Sequence, residues 1–325
     1  MQSFEYANPT TVAEAAGLLA PRWGQTDILA GGTDLLNLMK GYLHTPRRLV
    51  NIKNIKELEG IQKTADGLRI GALVTMHELA ANAEVRAAYR SLADAAEGIP
   101  SPQIRHMGTA GGDLCQRPHC WYYRQGFGLL ATQNGKPLVP DGENKYHAIF
   151  GGGPAYFVSA SSLGPALVSL GARVKLVSAK GSREVPVKSF FLAPKDENTR
   201  EIALHPDEIL TEILVPAGTT HSATYEVRQK AALDWPLAAA AVALQMRGTV
   251  VTSAKVVLGH VAPTPWEAPA AEKALAGKTI TAATAEAAGK AAVEGAQPLS
   301  QNAYKVTLAR VAVKRALLEA AKARA

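Results

Sequence analysis

The chain has 325 residues, of which 47% are apolar and 19% charged, which excludes a disordered polymer and allows two or three cored domains. Thirty-five Lys and Arg against 28 Asp and Glu leave a formal charge of +7, but the basic residues are scattered, without the aromatic-interleaved cluster of a nucleic-acid binder. The two cysteines, Cys115 and Cys120, lie too close together to staple a secreted domain, and the apolar run 237–244 is far short of the ~20 residues a membrane helix needs.

In chain order, 12–19 reads as a helix with Thr11 as its cap, and 27–30 as a strand that stops at Gly31-Gly32. Helical spacing resumes over 35–42, strands follow at 48–52 and 67–72, and helical text runs from Met76 to about Ala96. A stretch from 98 to 155, rich in Gly, Pro, Arg, His and aromatics, has no clear period; it is a functional loop or an inserted subdomain. Order returns with a helix at 163–171, a strand pair at 173–179 and 183–187, and a strand at 208–215. Strands at 223–229 and 250–260 flank the alanine-rich run 237–246. Beyond Pro269 the text is helical, and the last helix, with Ser300 near its start, sets Tyr304, Leu308, Val311 and Leu318 on one face.

The segment Ile28-Leu29-Ala30-Gly31-Gly32-Thr33-Asp34-Leu35 places a glycine pair between a strand and a helix. Backbone N–H groups can approach a phosphate there without a Cβ in the way, and Thr33 can add its hydroxyl; a tight turn capped by Asp34 is the plainer alternative. A second glycine pair, in Gly108-Thr109-Ala110-Gly111-Gly112-Asp113, forms another backbone rich in donors. Two such loops in one chain suit a dinucleotide, whose diphosphate and sugars must be held from two sides. Neither has the glycine spacing of a Rossmann fingerprint, and no nucleophile or acid–base pair stands beside them.

Seven segments in order, FEYANPTTVAEAAGLL, AGGTDLL, IGALVTMHELA, IRHMGTAGGDL, HPDEILTEILVP, YEVRQKAALDWPLAAAAVAL and GHVAPTPWEAPAAEKALAGK, resemble the FAD-binding medium subunit of the xanthine dehydrogenase family of molybdenum hydroxylases. That resemblance implies an α+β chain: a two-lobed FAD-binding domain of the PCMH type, with lobes 1–58 and 59–218 and an inserted loop 114–155, then a small C-terminal domain 219–325 of antiparallel sheet and helices. It also implies FAD as cofactor. Ile28 to Leu35 would wrap the diphosphate, and Thr109, Gly111, Gly112 and Asp113 would complete the cradle. Ile209 and Leu210 would pack on a flat ring, and Lys230 is the nearest candidate for a lysine that fixes the flavin.

Two departures from the family matter. Relatives with an insert like CQRPHCWYYRQGFGLL often carry a [4Fe–4S] cluster on four cysteines; with only Cys115 and Cys120, this chain is expected to lack it. Zinc held by His106, Cys115, His119 and Cys120 is disfavoured by the adjacent His119-Cys120 pair, so the insert should be held by Trp121, Tyr122, Tyr123 and Phe127. At Ser162 relatives commonly have Asp, and the loss of that anion should raise the flavin potential. The function implied is an oxidoreductase subunit. It would take electrons from the [2Fe–2S] clusters of a small subunit, fed by a molybdenum-cofactor large subunit, and pass them through FAD to an external acceptor. The assembly would be a heterotrimer or its dimer. A stand-alone flavin oxidase or reductase of the same superfamily, or a binding module without FAD, are the alternatives. The absence of a visible export signal favours the cytoplasm, or the periplasm by co-export with a partner.

Overall fold

Three sheets succeed one another along the chain in the computed structural model, which describes residues 1–217 and 221–322. The boundary expected at 218/219 and the last three residues lie outside the described residues. The first sheet holds β1 (Glu5–Ala7), β2 (Thr26–Leu29) and β3 (Arg48–Asn51) in the order β1-β3-β2, all parallel. Parallel neighbours need crossovers, and α1 (Val12–Gly17) and α2 (Leu35–Lys40) serve. Thr11 caps α1, its hydroxyl accepting from Glu14 N at 3.2 Å.

The second sheet, β4-β5-β10-β8-β9, is antiparallel throughout. It takes β4 (Ile61–Thr64) and β5 (Gly67–Gly71) early and receives its other strands late. Between them the helical text from Met76 to Ala96 divides into α3 (Met76–Ala81), α4 (Ala83–Ala88) and α5 (Arg90–Glu97). The breaks have causes: Asn82 accepts from Val85 N at 3.0 Å as a cap, and Tyr89 leaves the helical region with φ −133°. Then come α6 (Pro102–Met107), α7 (Ala110–Cys115) and α8 (Trp121–Arg124), and a small hairpin of β6 (Thr132–Gln133) and β7 (Lys136–Pro137). The aperiodic stretch is thus a set of short elements. Trp121 meets Tyr146 edge-on, and Tyr122 meets Phe127 in the same way. The lobe closes with α9 (Leu163–Ser169), β8 (Arg173–Ser178), β9 (Gly181–Pro186), α10 (Val187–Phe190) and β10 (Ile209–Pro216).

The C-terminal sheet is antiparallel, β11 (His221–Arg228), β12 (Pro236–Arg247), β13 (Val250–Gly259) and β14 (Trp266–Glu267) in that order. The alanine-rich run is β12, a central strand with both faces covered, which is why it does not alternate. Ala241 belongs to the core beneath the helices that precede it, α3, α5 and α9, while Ala238, Ala240, Val242 and Leu244 belong to the core under α11 (Pro269–Leu275), α12 (Ala282–Ala292) and α13 (Tyr304–Ala320). The buried face of α13 is not the one expected. Ala309, Ala312, Val313, Ala316 and Leu317 are buried, and Tyr304, Leu308, Val311 and Leu318 stand half-buried beside them. Small residues occupy the line of closest approach, and the large ones fill its margin. Ser300 does not cap α13, whose cap position is Ala303; its hydroxyl accepts from Asn144 Nδ2 at 3.0 Å. Among the described residues no helix is long and apolar enough to cross a membrane.

Candidate functional site

A cavity of about 610 Å³ opens where the three sheets meet. The loop between β2 and α2 forms one wall, the α6–α7 turn a second, and Ile209 and Leu210 at the start of β10 a third; Arg228 and the 233–236 segment after β11 close it. Of the residues expected from sequence, Ile28, Ala30, Gly31, Gly32, Thr33, Asp34, Leu35, Thr109, Gly111, Gly112, Asp113, Ser162, Ile209 and Leu210 line it. Leu29 does not: strand alternation turns it into a small core with Met39 and Leu49. Lys230 does not either. It is exposed, and its amide donates to Asp234 Oδ2 at 2.9 Å.

The two loops touch. A Cβ on Gly31 would stand 1.8 Å from the Met107 carbonyl oxygen, and Gly32 sits at φ +74°, where a side chain is strained. Between Gly31 and Leu35 no backbone amide donates to an acceptor among the described residues. Thr33 is exposed and its four neighbours are half-buried, so these five amides are open to the cavity and free to donate to an oxyanion there. The Asp34 carboxylate is engaged elsewhere, accepting from Arg117 N at 2.8 Å and Arg124 Nη2 at 2.7 Å, and so ties the loop to the insert instead of capping α2.

The second loop spends its donors internally, contrary to the expectation of a second open nest. Ala110 N donates to Val74 O, Gly111 N to Ala72 O at 2.9 Å, Gly112 N to Thr109 Oγ1 at 3.1 Å and Asp113 N to Thr109 O. Thr109 Oγ1, already an acceptor, keeps its own proton for a ligand. Asp113 is buried and receives Ser161 Oγ, Ser162 N at 3.2 Å and Leu163 N at 3.0 Å, which locks α7 to the start of α9. Burial raises its carboxyl to about 6 against the pull of those hydrogen bonds.

Sequence reasoning missed three arginines that line the cavity, Arg117, Arg200 and Arg228. Arg117 and Arg200 flank the buried Glu201 at 3.2 and 3.1 Å, and Arg200 lies 4.2 Å over the Trp23 ring. Arg228 donates to Glu226 and to Gly98 O. Their positions carry no local motif; only the DWP turn after β11, within a quoted family segment, hinted that this stretch reaches the site.

The insert's candidate ligands are held apart by other partners. His106 stacks on His77 at 4.0 Å, His119 lies tilted against Trp235 at 4.1 Å, and Cys120 Sγ meets His147 Nε2 at 3.2 Å. Burial pushes the Cys115 thiol to about 12. Among the described residues no three His, Cys, Asp or Glu side chains are placed to share a metal ion.

Residues 2–218 match the model of the FAD binding domain in molybdopterin dehydrogenase, and residues 223–320 that of the CO dehydrogenase flavoprotein C-terminal domain. The carbon monoxide dehydrogenase medium chain of Hydrogenophaga pseudoflava is 32% identical, over 97% of this chain and 96% of that one. The aldehyde oxidoreductase FAD-binding subunit PaoB of Escherichia coli K12 is 32% identical over 98% and 99%. The solved carbon monoxide dehydrogenase of H. pseudoflava lacking the Mo-pyranopterin moiety superposes with a TM-score of 0.77 at 30% identity, covering 98% of this chain and 97% of that one. The cavity fits FAD, which the matched domain model and the aldehyde oxidoreductase subunit name. Its row of free amides could receive an anion, its volume suits a drug-sized or larger ligand, and the Gly31–Met107 contact leaves no room for a side chain where the loops converge. The chain belongs to the FAD-binding medium subunits of the xanthine dehydrogenase family of molybdenum hydroxylases, as an oxidoreductase subunit with FAD as its cofactor.

Proposed function

We propose that this chain is the electron outlet of a heterotrimeric hydroxylase. Substrate is oxidised at a molybdenum cofactor in a large partner, [2Fe–2S] clusters in a small partner relay the electrons, and the chain delivers them to an external acceptor. FAD, when bound, supplies the redox chemistry. The chain's own residues bind and orient it. The amides of Gly31 to Leu35 and the Thr109 hydroxyl hold the diphosphate, and Ile28, Ile209 and Leu210 pack against a flat ring. Ser162 and Arg228 present polar groups at the end nearest the C-terminal sheet, and Arg228 takes the part expected of Lys230.

The observation that carries this reading is the unbroken row of five unpaired amides on the cavity wall. Co-purification with a tagged copy tests it. The expected result is a yellow complex containing a molybdenum-bearing large chain and an iron-bearing small chain. A chain that purifies alone, holds FAD and turns over a substrate by itself would overturn the subunit reading.

A further inference from the structure

Behind the cavity wall, Glu226 on β11 has a side chain only 6% exposed. Arg228 donates to one of its oxygens, while the other, Oε1, is buried without a hydrogen-bond partner among the described residues. The Ser162 hydroxyl, on a residue that lines the cavity, favours the ionised form of the same carboxyl. Gly98 at the end of α5 makes the arrangement possible, since a Cβ there would meet Glu226 Oε2 at 2.7 Å.

We propose that Glu226 is a positioning residue for the flavin, coupling one buried proton through the Ser162 hydroxyl to the charge on the ring. This rests on the reading that the ring lies at the Ser162–Arg228 end of the cavity. An orphaned carboxylate oxygen is costly when ionised and comfortable when it carries a proton. The neighbours set the balance. Arg228 on the same strand favours the anion, Asp113 on α7 opposes it, and Ser162 before α9 steadies it. On α5, Asp94 is turned to Thr224 N and Arg90, and β12 brings only Ala239 opposite. His260, within the field of Arg228, is held neutral by burial. The net result is a carboxyl raised by burial to about 7.

The sign follows from charge. Below that value Glu226 is neutral; above it, a carboxylate near the ring opposes incoming electrons and lowers the flavin potential. The test is the midpoint potential of bound FAD in the purified complex, at about pH 5.5 and about pH 8.5, on either side of this value. E226Q keeps the shape and removes the titration. Its potential should match wild type at the lower pH and lie above it at the higher one, and E226D should restore the gap. An E226Q potential equal to wild type at both pH values, or offset equally at both, overturns the coupling. Should E226Q not fold, S162A carries the test: the wild-type break in potential near pH 7 should become shallower, and an unchanged break overturns the proposal. S162A also separates the two readings. An unshifted absorption spectrum of bound FAD removes the ring from this end of the cavity, whereas a shifted spectrum with an unchanged break refutes the coupling alone.

Discussion

Gly31 lies in the β2–α2 loop and Met107 at the end of α6, and a methyl group on the first would overlap the carbonyl oxygen of the second, 1.8 Å away. The proposed cofactor cradle therefore depends on hydrogen at one Cα. Gly31→Ala must push the β2–α2 loop off the α6–α7 turn, and such overpacking typically costs about 1–3 kcal/mol. The expected result is a folded chain with a markedly lower flavin-to-protein ratio; an unchanged ratio counts against the cradle.

Asp34 acts across a long sequence separation. Asp34→Ala leaves Arg117 N without its acceptor and Arg124 Nη2 with only the Arg117 carbonyl, a loss of about 1–3 kcal/mol for partly buried donors. The insert should loosen before the rest of the chain does, so limited proteolysis should cut faster within 114–155 than in wild type. Asp34→Asn, which keeps one carbonyl oxygen, should fall between the two.

Asp113 gives a pH signature. Its folded pKa, about 6, lies above its ordinary 3.8, so between these values the folded chain binds more protons than the unfolded one. Its contribution to stability is complete below about pH 3.8 and is lost as the pH rises through about 6, a fall of roughly 3 kcal/mol for a shift near two units. Denaturant titrations across that window should show a negative slope from this group, absent in Asp113→Asn. An identical slope in the variant would refute the assignment.

Lys305 is buried and donates to three carbonyls, Tyr146 O at 3.0 Å, His147 O at 3.2 Å and His260 O at 2.7 Å. Burial depresses its pKa to about 7, yet the three acceptors make it the pin between the insert and the C-terminal sheet. Lys305→Met keeps the stem and strands the carbonyls, and should cost roughly 1–3 kcal/mol, read as a lower thermal midpoint. An unaltered midpoint would show that water replaces the ammonium without loss.

Ser162→Asp tests the electrostatics at the cavity's polar end. A carboxylate there should lower the potential of bound FAD, and it would share its corner with Asp113 and Glu226, so the effect should grow with pH. A potential unchanged at every pH rejects the expectation.

The two glycine loops were legible in sequence because steric necessity is written in residue type. Gly31, Gly32 and Gly111 have backbone-level reasons to lack a side chain. Which loop keeps its amides free was not legible, because the answer lies with the Ala72 and Val74 carbonyls on another element. Lys230 was named and Arg228 missed for a similar reason. The ladder between β11 and β12 shifts register between Val227 and Arg228, and such a bulge re-aims the side chains beyond it. The face of α13 was misjudged because apolar bulk, taken as the sign of burial, sits at the rim of a contact made by alanines. Asp34 looked like a helix cap, and only the folded insert supplies the arginine that claims it.

The alanines of β12 have one more consequence. Along that strand alternate methyl groups point into two separate interiors, so the frontier between the cofactor domain and its C-terminal companion is a single shared layer of backbone. A partition this thin cannot be breached from one side alone: melting either interior lays bare the other, and the two should rise and collapse together as one thermodynamic body.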